Sequence, residues 1–255
     1  MHITKVIIFV LIIVLMLPLA SVKAQSFGFG CLGFVGGYGG YTYQKYDPKG
    51  LNNYVKAFNA ANKDSLSSPM SEFGKAQGYR VGVNFFRADF QGFILTTKGF
   101  YQFLSEKKSA SINVTNGSSS AIYEVEMKNW GVGIDLGTAI TEALSWKVVD
   151  AAVLYNSASF TNTRNSPGPS TTLLQFNSEK STIGYSIATG FILQLAGRYI
   201  SLEGAAGYSA FKIDKMRLDD GTELAISETS KEVMTNFITA GGFSAVIQLN
   251  IGFPL

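Results

Sequence analysis

The chain is poor in charge, in cysteine and in histidine. Only 15% of its 255 residues are charged, whereas an average soluble protein carries about 25%. Its aromatic content of 13% excludes a disordered chain, because disordered chains lack aromatics and are rich in charge. Cys31 is the single cysteine, which excludes a disulfide scaffold. These absences predict a folded chain with an unusually uncharged surface, in which Cys31 is a buried or membrane-embedded free thiol.

The N-terminus has the layout of a secretory signal peptide. A short basic start ends at Lys5, an unbroken apolar run covers residues 6–17, and small residues near Ala24 offer a cleavage point. This order of charge, apolar run and small-residue exit predicts that residues 1–24 are removed after export. The mature domain would then be residues 25–255. A retained membrane anchor is the alternative.

The predicted cleavage also removes His2, which is the only histidine of the chain. Without histidine, the mature chain lacks the usual general base, a Ser-His-Asp triad and histidine-based zinc sites. A serine with a lysine, or a pair of carboxylates, stays open as a catalytic set, but no spacing singles one out. Loss of Lys5 and Lys23 lowers the formal charge from +3 to about +1, which leaves no basic footprint for nucleic acid. The sequence therefore predicts no enzyme, no catalytic residue, no metal or cofactor, and no nucleic-acid partner.

Hydrophobic alternation is clearest at the C-terminus. Between residues 235 and 255, eight of the eleven odd positions are apolar but only three of the ten even positions. A period of two indicates a strand with one apolar face. The uncharged stretch 233–255 is also long enough for a transmembrane helix. Its glycines, its amide side chains and Pro254 oppose a helix, so we predict a strand.

Similar alternation predicts eight strands, near residues 33–45, 78–87, 90–108, 121–138, 146–161, 179–195, 199–216 and 234–255. The connections are alternately long and polar (46–77, 109–120, 162–178 and 217–233) and short (88–89, 139–145 and 196–198). An even strand number with long loops on one rim is typical of bacterial outer-membrane barrels, and a sheet in hydrocarbon must close on itself. Pairing of the region Leu51 to Phe73 would give ten strands instead. The alternation slips near Lys128-Asn129, where a bulge or a wrong assignment is open.

The chain resembles a known family. Its signal peptide, eight alternating strands and final segment Gln248-Leu249-Asn250-Ile251-Gly252-Phe253-Pro254-Leu255 resemble the OmpA/OmpX-like outer-membrane β-barrel superfamily, over the barrel domain only. The resemblance implies an all-β fold: an eight-stranded antiparallel up-and-down transmembrane β-barrel with short periplasmic turns and long extracellular loops. It places the protein in the outer membrane of a Gram-negative envelope, with outer-membrane lipid as a partner.

The resemblance also implies that the last strand is a sorting signal for the barrel-assembly machinery. The residues that would carry this signal are Leu249, Ile251, Phe253 and Leu255. The family usually ends on an aromatic residue, and this chain departs from that pattern at Leu255.

Five charged residues share the inward parity of their strands: Arg80, Lys98, Asp135, Asp150 and Glu203. The interior of an eight-stranded barrel is just wide enough for side chains to fill it. Buried charges have to pair, because an isolated buried ion costs several kcal/mol. We therefore predict a paired polar network that plugs the lumen. A narrow ion or proton path is the alternative.

The first long loop contains a helical pattern. Leu51, Tyr54, Val55 and Phe58 recur at helical spacing within residues 51–62. We predict a short helix that covers the barrel mouth or lies at the membrane interface. The alternative is that this helix binds a ligand or a partner.

These patterns favour a monomeric barrel with a structural or surface-interaction role, in which the extracellular loops meet envelope components or an external partner. One alternative is a small porin-like or hydrophobic-solute transport barrel with an open route. Another is a soluble exported calycin-like barrel, in which the apolar faces point inward around a ligand.

Overall fold

The computed structural model describes residues 36–90, 92–114, 117–166, 171–196 and 199–252. The predicted signal peptide, Cys31, Phe253 and Leu255 lie outside the described residues. The predictions made for them therefore stay predictions.

The described chain forms strands for most of its length and one helix. The elements are β1 (Gly36–Lys45), α1 (Lys49–Ala61), β2 (Leu66–Ser68), β3 (Lys75–Phe90), β4 (Phe93–Val114), β5 (Gly117–Ala139), β6 (Leu144–Asn165), β7 (Thr171–Ser178), β8 (Thr182–Ala196), β9 (Ile200–Ala210), β10 (Met216–Arg217) and β11 (Gly242–Gly252). No helix among the described residues has both the length and the apolar character needed to cross a membrane.

Eight of these strands close into a ring in the order β1, β3, β4, β5, β6, β8, β9 and β11, with every neighbouring pair antiparallel. The first and last strands close it, since Tyr41 of β1 pairs with Ile247 of β11 on one side and Tyr79 of β3 on the other. The predicted eight-stranded antiparallel barrel is confirmed. The region Leu51 to Phe73 adds no ninth or tenth strand to the ring, because it forms α1 and the short β2, which pairs only with β4.

The prediction of loops is wrong for two segments, 109–120 and 162–178, because strands continue through them. β4 and β5 stay paired up to Val114 and Gly117, so most of residues 109–120 is strand. β6 reaches Asn165 and pairs there with β7, so residues 162–178 are also mostly strand. The serines and asparagines that suggested loops lie on strands whose outer face meets water.

Two predicted strands are too long. The strand predicted for 199–216 ends at Ala210, and the strand predicted for 234–255 begins only at Gly242. The segment between them makes isolated bridges, and its Phe237 and Ile238 are fully buried inside the barrel. Packing into the core thus replaces the regular ladder that the apolar alternation suggested.

The alternation slip near Lys128-Asn129 has a different cause from a bulge. The β4–β5 register runs without a shift past this point, so the pleat of β5 continues unchanged. What changes is the polarity of its two faces. After Asn129, toward the short turn that ends β5, the outward residues are apolar and exposed, with Trp130 at 62% and Val132 at 70%. Before Asn129, the inward residues are instead apolar and buried, namely Tyr123, Val125 and Met127. The outward residues there are charged, namely Glu124, Glu126 and Lys128.

The barrel therefore has two zones. We call the part from the short turns up to the level of Trp130 the lower zone, with an apolar exterior and a polar lumen. The part above it is the upper zone, with a polar exterior and an apolar interior. Stacked and tilted rings mark the boundary on the outside: Tyr79 lies 5.5 Å from Phe103, and Tyr101 lies 4.9 Å from Trp130, between ring centroids.

Helix α1 fills the interior of the upper zone. Its residues Leu51, Tyr54, Val55 and Phe58 are all buried. The rings of Tyr54 and Phe58 lie 5.6 and 5.5 Å from the ring of Tyr123 on the barrel wall. The helix is thus part of the core.

Polar contacts fix the chain on both sides of α1. The side-chain amides of Asn52 and Asn59 each donate to and accept from the backbone, at Phe73 and Met70 respectively, over 2.8–3.1 Å. A buried carboxylate, Glu106 of β4, accepts from the Tyr46 hydroxyl at 2.9 Å and from the Gly74 and Lys75 backbone N–H groups at 2.8 and 2.7 Å. Burial, together with the neighbouring Glu106, raises the pKa of Tyr46 far above its usual range, so its hydroxyl stays a donor.

The packing of α1 gives a first prediction. Leu51→Ala should lower the free energy of unfolding by about 2–5 kcal/mol, because Leu51 is fully buried and the change leaves a cavity. The matched change on the exposed face, Lys56→Ala, removes only a surface ion pair with Glu72 and should cost at most about 1 kcal/mol. Reversible urea unfolding of the protein in lipid vesicles measures both. Equal effects of the two substitutions would show that α1 does not pack into the barrel.

Candidate functional site

Four of the five charged residues chosen by parity meet in the lower lumen, together with one more lysine. The Lys98 Nζ atom lies 2.8 Å from Asp135 Oδ1 and 2.6 Å from Asp150 Oδ2. The Lys147 Nζ atom lies 3.0 Å from Asp135 Oδ2 and 2.5 Å from Glu203 Oε1. All five side chains are buried. They form a continuous chain of ion pairs, which we call the lumen network.

Strand register brings these groups together. Asp135 of β5 and Asp150 of β6 lie directly opposite each other, a placement in which two carboxylates repel. Lys98 comes from β4 on one side and Lys147 from the base of β6, and each contacts both aspartates. Glu203 of β9 makes a further ion pair with Lys147. Each lysine therefore offsets a repulsion that the barrel geometry imposes.

The sequence pattern missed Lys147. Counting by twos from Asp150 places residue 147 on the outer face. In the structure, a bulge shifts the β6–β8 register between Lys147 and Asp150. Because of this shift, the Lys147 side chain faces the lumen. The consecutive Val148 and Val149, which break the alternation, were the only signal of that bulge in the sequence.

Arg80 lies apart from the lumen network. Its Nε and Nη2 atoms donate to Gln102 Oε1 at 2.9 and 2.6 Å, and its guanidinium lies 4.4 Å from the centroid of the Phe100 ring. The Thr42 hydroxyl donates to the same Gln102 oxygen at 3.3 Å. Among the described residues, Arg80 forms no ion pair of 4 Å or less.

Aromatic rings fill the lumen next to the network. Tyr38 lies over Gly82 and Phe100 lies over Gly131, so a Cβ atom at either glycine would overlap the ring. Ala152 and Leu154 complete this buried layer. Glycine is required at these two positions because the rings occupy the space that a side chain would take.

The lumen opens only partly at the lower end. A cavity of about 130 Å³ reaches the lumen network there, and its lining includes Asn84, Thr96, Gln194 and Asn250. The Asn250 amide donates to Glu203 Oε2 at 3.2 Å, which satisfies the second oxygen of that carboxylate. No cluster of His, Cys, Asp and Glu in the described part of the chain has the arrangement to hold a metal ion.

The upper mouth is closed by contacts from the last long loop. Glu228 forms an ion pair with Arg164 of β6 and accepts a hydrogen bond of 3.1 Å from the Tyr123 hydroxyl. The same Arg164 guanidinium lies 5.3 Å from the Phe58 ring of α1. Burial raises the pKa of Tyr123 far above its usual range, and the nearby Tyr54 and Glu228 add to the shift.

The residues of the expected C-terminal sorting signal divide into two groups. Leu249 and Ile251 lie on the outward face of β11, with 42% and 51% of their surfaces exposed. Phe253 and Leu255 lie outside the described residues. The role of these four residues in assembly stays a prediction.

The lumen network gives a second prediction. Lys147→Met leaves Asp135, Asp150 and Glu203 with one lysine among them, and should lower the free energy of unfolding by about 3–5 kcal/mol. The double variant Lys147→Met with Glu203→Gln restores the net charge of the wild-type lumen network and should recover part of that loss. Urea unfolding in vesicles measures both variants. A double variant no more stable than the single one would show that charge pairing does not hold the lumen together.

Comparison with known proteins finds no match among family models and none among curated proteins. Solved structures do match over most of their length. The attachment invasion locus protein Ail of Yersinia pestis is 8% identical, with a TM-score of 0.37 and coverage of 86% of this chain and 98% of that one.

Two further solved structures match in the same way. The Neisserial surface protein A is 11% identical, with a TM-score of 0.38 and coverage of 85% and 97%. The outer membrane protease OmpT from Escherichia coli is 9% identical, with a TM-score of 0.41 and coverage of 92% and 99%. At these identities, and with TM-scores below 0.5, the likenesses carry no weight in assigning a function to this chain.

Proposed function

We propose that the protein is an integral outer-membrane barrel whose lumen is closed and whose upper zone presents a rigid surface outside the cell. The observation that carries the proposal is the exchange of polarity between the two zones. An apolar exterior around a polar, paired lumen suits hydrocarbon outside the barrel, as in outer-membrane barrels. A polar exterior around an apolar core suits water.

Exposed apolar side chains cover the lower exterior of the ring strands. Large exposed apolar residues there include Tyr41, Val81, Val132, Val153, Ile183, Ile187, Leu202 and Ile247. Ile183 is 78% exposed, and large exposed apolar patches of this kind are rare on soluble monomers. A soluble calycin-like barrel would require these faces to point inward. The pleat instead points them outward.

Strand length supports a role outside the membrane. β4, β5 and β6 contain 22, 23 and 22 residues, although about 9–11 tilted residues cross a bilayer. Roughly half of each strand therefore stands above the boundary rings. There it packs on α1 and on the last loop, which makes the upper zone a folded unit with its own core.

A rigid upper zone suits recognition of an external partner. A preorganised surface loses little conformational entropy when it binds. The buried face of α1 is unavailable to a partner, so contacts would use the outward polar faces of the long strands and the exposed side of the helix. The filled lumen favours this interaction role over transport.

Membrane placement gives a third prediction. Val132→Arg puts a charge on the lower exterior of β5 and should lower the free energy of unfolding in vesicles by about 2–4 kcal/mol. Ser109→Arg puts the same side chain on an exposed outward position of β4 in the upper zone, and should change it by less than about 0.5 kcal/mol. Fractionation and vesicle folding test the pair. Equal tolerance of both variants, or recovery of the mature protein in the soluble periplasm, would contradict the proposal.

The closed lumen gives a fourth prediction. Purified protein in planar bilayers should give no large, regular conductance steps, because the lumen network, Tyr38, Phe100 and α1 fill the barrel in successive layers. An open porin added to the same bilayer serves as the positive control. Regular steps from the purified protein would favour the transport alternative instead.

A further inference from the structure

Three lysines lie side by side on the outer wall just above the boundary rings. Lys45 of β1 pairs directly with Lys75 of β3. The β3–β4 register pairs Gln77 with Ser105, and continuing it by two residues puts Lys107 of β4 beside Lys75. All three lysines are exposed. We call them the lysine row.

The lysine row is poorly neutralised within the protein. Like charges directly opposite each other on neighbouring strands destabilise a sheet. Among the described residues, no carboxylate forms an ion pair with Lys45 or Lys75, and Lys107 reaches Glu124 only at 3.9 Å. The nearby Glu106 points inward, where it binds the Tyr46 hydroxyl and two backbone N–H groups. An anion outside the barrel wall would remove this repulsion.

Below the lysine row, the outer surface changes from polar to apolar toward the short turns. Gln77 accepts a hydrogen bond of 2.6 Å from the Tyr41 hydroxyl, and below it the rings of Tyr79 and Phe103 stack 5.5 Å apart. Next comes an apolar groove of about 670 Å³ across the outer faces of β3, β4, β5 and β6. Its lining includes Val81, Val83, Tyr101, Trp130, Val132, Val153 and Tyr155.

We propose that the lysine row and this groove together bind one phosphate-bearing lipid of the outer leaflet. The phosphate lies among the three ammonium groups, the polar linkage lies at the level of Tyr41 and Tyr79, and the acyl chains occupy the groove. Charge complementarity selects this occupant over an uncharged lipid. The cations occupy β1, β3 and β4, above the β3 and β4 part of the groove. The inference rests on the proposed placement in the outer membrane.

The test compares two triple variants that remove the same charge. One is Lys45→Ala with Lys75→Ala and Lys107→Ala, which empties the lysine row. The control is Lys63→Ala with Lys180→Ala and Lys231→Ala, three exposed lysines elsewhere in the upper zone. Each protein is folded in detergent with lipid A, with enzymatically dephosphorylated lipid A, or with lipid A plus excess inorganic phosphate. Native mass spectrometry then counts the lipid that is retained.

The wild-type protein and the control should retain phosphorylated lipid A, and the lysine-row variant should bind it about 10- to 100-fold more weakly. Dephosphorylated lipid A should bind wild type about as weakly, and excess inorganic phosphate should compete only partly, because it lacks acyl chains. Equal retention by the two triple variants, or of the two lipids by wild type, would overturn the inference. Heat-modifiable migration and membrane fractionation of each variant are read separately. A barrel that folds in the outer membrane without preferring phosphate refutes this inference alone.

Discussion

Every side chain on a barrel strand faces either the lumen or the outside, and each face has to match its surroundings. This constraint explains why the pleat of β5 stays continuous while its chemistry reverses. Around Val132 and Ile134 the outside is apolar and the lumen holds Asp135; higher up, Glu124 faces out and Tyr123 faces in. Low charge in the sequence reflects the lower exterior, and the charges that remain there have to face inward and pair.

Ion pairing in the lower zone and apolar packing in the upper zone fill the interior of the same barrel by different means. In the lower zone, Lys98 and Lys147 separate carboxylates that the strand register forces together. In the upper zone, α1 and the segment around Phe237 fill the space with apolar side chains. Both fillings favour a barrel that supports a surface over one that carries solutes. The apolar filling includes Ala76 and Leu104, on the inner face of the strands that carry the lysine row and the boundary rings.

Much of this architecture followed from the sequence, because a period of two is a direct consequence of strand geometry. The strand number and the inward placement of Lys98, Asp135, Asp150 and Glu203 came from parity alone. Parity failed where the backbone departs from regular pairing. A bulge hid Lys147, and core packing of Phe237 replaced a predicted strand. The long hairpins were read as loops because serine and asparagine mark turns and water-facing strands alike. The burial of Glu106 depends on contacts with a distant segment, which no local pattern contains.

The exchange of polarity along β5 is the central claim, and site-directed spin labelling tests it most directly. Single cysteines would be introduced one at a time at residues 122–136, in a protein carrying Cys31→Ser, and labelled with a nitroxide in lipid vesicles. Outward positions 130, 132, 134 and 136 should be accessible to oxygen and protected from a water-soluble nickel complex. Outward positions 122, 124, 126 and 128 should show the opposite. Nickel access at 132 and 134, or lipid-like oxygen access at 124, would contradict the account.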